Sequence, residues 1–142
     1  MADECIFCRI VKGELPTSKV AEDDRTLAIL DIMPVNTGHT LVIPKTHAKD
    51  LADLPKGVGG ALFMMAERVA AAQREGLSAE GVNLFLADGR VAGQVVLHVH
   101  LHVVPRYDGD GFGLSFPAGY GVKPPREELE ATAAKLRGSL PR

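Results

Sequence analysis

Residues Gly93 to Arg106 read GQVVLHVHLHVVPR and hold three of the chain's five histidines, His98, His100 and His102, at every second position. Side chains of a β-strand alternate between faces, so this spacing predicts a strand over Val95 to Val104. The three imidazoles then project from one side at intervals of about 6.6 to 6.8 Å, while Val99, Leu101 and Val103 point into a core. Three histidines in register are hard to place as an ordinary half-exposed strand face. Two chemistries suit them. Neutral imidazole nitrogens bind zinc, copper or nickel; alternatively, one neutral imidazole attacks phosphorus while its neighbours donate a hydrogen bond or a proton. Histidine divides such roles because its unperturbed pKa of about 6.5 lets neighbouring rings differ in charge near neutral pH. The spacing alone leaves both readings open.

The rest of the chain narrows the setting. Its 142 residues suit one domain with one core, and 46% apolar, 24% charged residues with a net charge of −2 make a globular composition without the basic field that favours nucleic acid. The N-terminus MADECIFCRIVKG lacks an apolar signal region, and no run approaches the roughly 18 apolar residues of a membrane span. A cytoplasmic protein that engages neither membrane nor nucleic acid is expected. The only two cysteines, Cys5 and Cys8, form one Cys-x-x-Cys pair, which in a reducing compartment reads as a metal or redox centre.

Around the histidine segment, Ile6, Phe7, Ile10 and Val11 space as a short helix that Gly13 ends, and Lys19 to Ala21 and Thr26 to Leu30 read as strands joined by a polar turn. Asp31 to Gly38 reads as a loop and His39 to Ile43 as a third strand. Pro55 to Gly76 has the period of the main helix, with Gly76 as its stop; Val82 to Leu86 is another strand, followed by a loop from Ala87 to Gly93. Pro105 to Pro125, with five glycines and four prolines, reads as irregular, and Glu127 to Arg137 as a last helix before Gly138. Strands on short connections, with one long helix inserted and one appended, give an α+β fold around an antiparallel sheet of about five strands.

The segment HVHLHVV, preceded by AGQVV and followed by PR, resembles the motif of the histidine triad family of nucleotide hydrolases and transferases. The similarity continues in CIFCRIVKGELP and AILDIMPVNTGHTLVIPKTH, covering roughly residues 5 to 106, and the cysteine pair resembles a bacterial, zinc-binding, Hint-like branch. The resemblance implies a single HIT-like domain over 1–142 with a variable segment 107–142. It implies a hydrolase that cleaves purine nucleoside phosphoramidates or related nucleotidyl esters at the α-phosphate. His100 would be the nucleophile, forming a covalent nucleotidyl-histidine. His102 would bind the phosphate and support leaving-group departure, His39 would join the triad network, and His98 would orient its neighbour through its backbone carbonyl. Asp31 would receive the ribose hydroxyls, Ile6, Phe7, Ile10, Ile29 and Ile32 would wall the purine, and Gln94 would add a polar contact near the phosphate. Read from the residues alone, those apolar side chains also suit plain core, and Asp31 a turn before Pro34.

The same resemblance implies a structural zinc held by Cys5, Cys8, His47 and His98, and a homodimer formed by extending the sheet across a two-fold axis. By spacing alone, the cysteines also suit a redox pair and His47 a solvated loop. Two positions depart from the family pattern: Val95 stands where a Ser or Thr hydroxyl is usual, and Ala87 where an Asn or Gln is common. Other activities follow from the same resemblance: a dinucleoside polyphosphate hydrolase, a nucleotidyltransferase, or a nucleotide- or zinc-binding interaction protein with little turnover.

Overall fold

The computed structural model describes residues 4–141. The chain divides into two compact units, Met1–Phe112 and Gly113–Arg142. The first holds a five-stranded antiparallel sheet in the order β1-β2-β3-β5-β4, from β1 (Lys19–Glu22), β2 (Thr26–Leu30), β3 (Thr40–Pro44), β4 (Gly81–Phe85) and β5 (Leu101–Arg106). It also holds helix α1 (Ile6–Val11) and the 20-residue helix α2 (Val58–Leu77). The second unit holds the 14-residue helix α3 (Arg126–Ser139) and a stacked Phe116–Tyr120 pair, with ring centroids 4.1 Å apart. Among the described residues no helix is long and apolar enough to cross a membrane.

Period-two alternation sorts the sheet's side chains into two cores. Ala28 on β2, Val42 on β3 and Leu101 and Val103 on β5 pack with the Val58, Leu62, Met65, Ala66 and Val69 face of α2. Leu27 and Ile29, with Leu41 and Ile43, point the other way and enclose Phe7 of α1, while Ile10, Val11 and Val96 cover them. A sheet buried on both faces needs continuous apolar strands, which is why TLAIL and TLVIP carry almost no polar positions. Each fully buried Val, Leu, Ile, Phe or Met among them contributes about 1.5–3 kcal/mol.

The α+β fold and its five strands agree with the sequence, whereas several element ends differ. β5 begins at Leu101, not Val95, because the chain before it finds partners other than β3: Val99 N–H donates to Ala48 O at 2.8 Å and the His98 ring reaches Pro44 O. Alternation survives the loss of the ladder, since Val99 still joins the α2 core and His98 and His100 still face α1. β5 then runs on through Pro105, whose missing N–H is harmless there because β3 pairing has ended at the Thr40–Val103 pair. Helix α2 passes through Gly76 and stops at Ser78, which takes the left-handed conformation (φ 55°) and donates its N–H to Gln73 O. α3 likewise runs through Gly138 to Ser139.

Candidate functional site

The backbone just before β5 and the strand itself carry the histidine row into two adjoining clusters. His98 is fully buried and His100 is 7% exposed, both edge-on to the Phe7 ring of α1 with centroids 5.6 and 5.2 Å away. His102 lies between His39, at the start of β3, and Phe85, at the end of β4.

The hydrogen bonds define which nitrogens carry protons. The Val35 backbone N–H donates to His39 Nδ1 at 3.1 Å, so neutral His39 holds its proton on Nε2. That Nε2 stands 2.9 Å from His102 Nδ1 and donates to it, which leaves His102 with an N–H on Nε2. His100 is the complement: its Nδ1–H donates to His98 O at 2.8 Å, leaving a lone pair on Nε2. The two rings are neighbours, with centroids 5.0 Å apart. A lone pair thus stands beside an N–H donor. Burial keeps both outer rings neutral, pushing His102 down to about 4 and lowering His39 despite the opposing charge of Asp31.

Asp31 serves two ends at once. Its Oδ1 accepts from Met33 N–H at 2.8 Å, the turn role open from the sequence, and its Oδ2 lies 3.6 Å from His39 Nε2. Asp31, His39 and His102 bring ligand-type atoms together, yet they do not suit a metal: His39 Nδ1 accepts the Val35 N–H hydrogen bond, so the ring proton sits on Nε2, which has no free lone pair.

The second cluster does suit one. Cys5, Cys8, His47 and His98 each present one ligand atom, all within 4.8 Å of one another. Cys5 and Cys8 Sγ lie 3.4 and 3.5 Å from His98 Nδ1, Cys8 Sγ lies 3.3 Å from His47 Nδ1, and the two Nδ1 atoms are 3.2 Å apart. A tetrahedral zinc with ordinary bond lengths requires about 3.6 Å between sulfur and nitrogen and about 3.3–3.4 Å between nitrogens. His98 Nε2–H donates to Pro44 O at 2.8 Å, which turns the Nδ1 lone pair toward the thiols and fixes the ring as a ligand's outer partner does. The cluster brings together α1, the loop after β3 and the approach to β5.

Other expected site residues are distributed differently. Phe7 and Ile29 are core, with Ile10 packed against them, whereas Ile6 is half exposed and Ile32 is 91% exposed. Gln94 is buried and occupied by backbone: its Oε1 accepts from Gly89 N–H, and its two amide protons go to Lys49 O and Val96 O. It braces the Ala87–Val96 loop, and neither proton is free for a phosphate. Val95 stands beside it, 85% exposed. No sequence pattern points to Phe85, whose ring stacks on His102 at 4.2 Å and 14°; only the β4–β5 register, which sets Phe85 opposite His102, brings it there.

An antiparallel α+β sheet with a histidine pair that sets a lone pair beside an N–H donor, and a four-ligand-atom Cys/His cluster, defines a class, and comparison with known proteins names it. The HIT domain model matches residues 12–109, and the chain belongs to that family. A HIT family protein of Bacillus anthracis superposes with a TM-score of 0.91 at 39% identity, covering 99% of this chain and 100% of that one. A zinc-bound histidine triad family protein of Mycobacterium smegmatis is 45% identical, with a TM-score of 0.75 over 99% of this chain and 100% of that one. The adenosine 5'-monophosphoramidase of Schizosaccharomyces pombe is 36% identical over 137 residues, 96% of this chain and 98% of its own.

Proposed function

We propose that the chain hydrolyses purine nucleoside phosphoramidates, or related nucleotidyl esters, at the α-phosphate through a covalent intermediate on His100. The observation that carries this reading is the pairing of a lone pair on His100 Nε2 with an N–H on His102 Nε2. In the first step the His100 lone pair forms a bond to phosphorus as the bond from phosphorus to the leaving nitrogen breaks. His102 Nε2–H donates to the charge that develops on phosphoryl oxygen and leaving group. The leaving amine takes the proton of His102 Nε2; water then displaces phosphorus from His100, its hydroxyl bonding to phosphorus to give a nucleoside monophosphate and its other proton returning to His102 Nε2. Asp31 would receive the ribose hydroxyls, and exposed Ile6 and Ile32 would offer apolar surface for the base. The S. pombe relative, named for the same reaction on an adenosine nucleotide, supports the substrate class.

In this reading Cys5, Cys8, His47 and His98 hold a structural zinc, which would supply a cross-link between α1 and the segment that leads into β5. The M. smegmatis relative supports the metal. The exposed edge strand β4 and the exposed Phe63 and Met64 of α2 support a homodimer that extends the sheet. Exposed Val95, which brings no hydroxyl, favours one second reading, a nucleotide-binding protein of low turnover.

The test mixes enzyme with adenosine and guanosine phosphoramidates and follows the mass of the His100 peptide. A burst of amine release with one nucleotidyl unit on His100 is expected. His100→Ala lowers turnover by roughly 10³-fold or more, as loss of a nucleophile does elsewhere. Undiminished turnover by that variant excludes the covalent route.

A further inference from the structure

The buried face of α2 is apolar except for Gln73, which is 3% exposed. Its Nε2 donates two hydrogen bonds, to Gly38 O at 3.0 Å and to Val103 O at 2.9 Å. Gly38 precedes His39, and Val103 follows His102. The β3–β5 ladder pairs Val42, Leu41 and Thr40 with Leu101, His102 and Val103 and goes no further, so His39 lies beyond its last pair. The gap is bridged by the Gln73 amide. Among the described residues its Oε1 finds no partner, a cost that a methionine of similar size would avoid. The amide therefore trades one unpaired oxygen for two donors, and both donors are spent on the carbonyls that flank His39 and His102 in sequence.

We propose that Gln73 is a positioning residue, whose two N–H groups hold the carbonyls of Gly38 and Val103 on either side of the His39–His102 contact and thereby set its geometry. The inference rests on the reading in which His102 Nε2–H is the working donor. Gly38 takes a φ of +96°, and a side chain there would run into Leu77 at the end of the same helix, so α2 constrains this corner from two positions.

The experiment records imidazole nitrogen shifts by NMR without substrate, then kcat and KM with a phosphoramidate. Wild-type His39 and His102 are expected as Nε2–H tautomers. Gln73→Met, which keeps the volume and loses both donors, is expected to mix the His102 tautomers and lower kcat roughly 10- to 100-fold with KM little changed. Gln73→Glu, neutral in this site and left with a single O–H, falls between, and it decides the matter if Gln73→Met does not fold. Val69→Ala, on the same buried face, destabilises α2 without touching either carbonyl and is expected to keep wild-type tautomers and kcat. Native tautomers and kcat in the foldable Gln73 variant, or the same losses in Val69→Ala, overturn the proposal. If the wild type turns over no phosphoramidate, the reading of the function fails, and the tautomer spectra still decide the role of Gln73.

Discussion

The two histidine clusters meet at His98 and His100, two residues apart, yet use the same ring in opposite ways. Around His98, lone pairs converge: Nδ1 atoms of His47 and His98 face each other at 3.2 Å, with two sulfurs close by, an arrangement that calls for a cation. Around His102, donors and acceptors alternate, from Val35 N–H through His39 to the Nε2–H of His102. What separates them is the backbone partner. Pro44 O takes the Nε2 proton of His98, whereas Val35 N–H occupies Nδ1 of His39. A carbonyl makes a ligand and an amide makes a donor. The clusters share a joint, since the His98 carbonyl receives the His100 Nδ1–H.

Breaking the convergent cluster has the largest expected effect. Cys8→Ser removes one of four ligands and lowers zinc affinity beyond the roughly 10- to 100-fold that disturbing a ligand's outer partner costs. Elemental analysis and a competition titration with a chromophoric chelator measure it. Zinc-free wild-type protein with a readily formed Cys5–Cys8 disulfide favours the redox reading. If His98 is the joint, loss of metal also lowers phosphoramidase turnover in the variant, whereas unchanged turnover shows that the clusters work independently.

The alternating cluster breaks with pH. An unfolded histidine takes up a proton near 6.5, but burial holds folded His102 neutral down to about 4. Between those values the unfolded chain binds more protons, so stability rises with pH across the window and falls as pH drops from 6.5 toward 4. From His102 this amounts to about 3 kcal/mol at most. Urea midpoints at several pH values measure it, and His102→Asn is expected to flatten the slope. An unchanged slope in that variant assigns the acid sensitivity to other groups.

How much of this was legible in the sequence follows the range of the interactions. Alternation through HVHLHV is local, and it placed Val99, Leu101 and Val103 in one core and the three histidines opposite, even where the ladder fails at Val99. The start of β5 was not legible, because it depends on Ala48 O and Pro44 O, 51 and 54 positions away and on no period. Gly76 and Gly138 read as stops, but a helix ends where a residue leaves its dihedrals, and at α2 that residue is Ser78. The family resemblance implies Gln94 as a polar contact near the phosphate; in the folded chain its amide bonds the backbone of Gly89, Lys49 and Val96, which no local pattern reports. Phe85 reaches His102, and Gln73 the carbonyls of Gly38 and Val103 beside the histidines, only through strand register and helix packing. The Cys/His cluster lies between these cases: the pair Cys5 and Cys8 is local, while His47 and His98 join it only in the folded chain.

The smallest expected effect sharpens the comparison at Val95. In the proposed reaction the alternating cluster would offer the transferred phosphate an N–H from His102, and the Val95 side chain adds no second donor. In a built site, losing one such donor costs about 2.7–4 kcal/mol in the barrier. Restoring one here returns less, because Val95 is 85% exposed and a new hydroxyl there is solvated before it meets the substrate. Val95→Ser is therefore expected to raise kcat about tenfold, or about 1.4 kcal/mol, with zinc content and the pH slope of stability unchanged. No gain on any nucleoside phosphoramidate means that the His102 N–H suffices and that the absent hydroxyl does not limit turnover. A gain in kcat accompanied by altered zinc content would instead trace the effect through the backbone between Val95 and His98, joining the two clusters more tightly than the shared carbonyl alone.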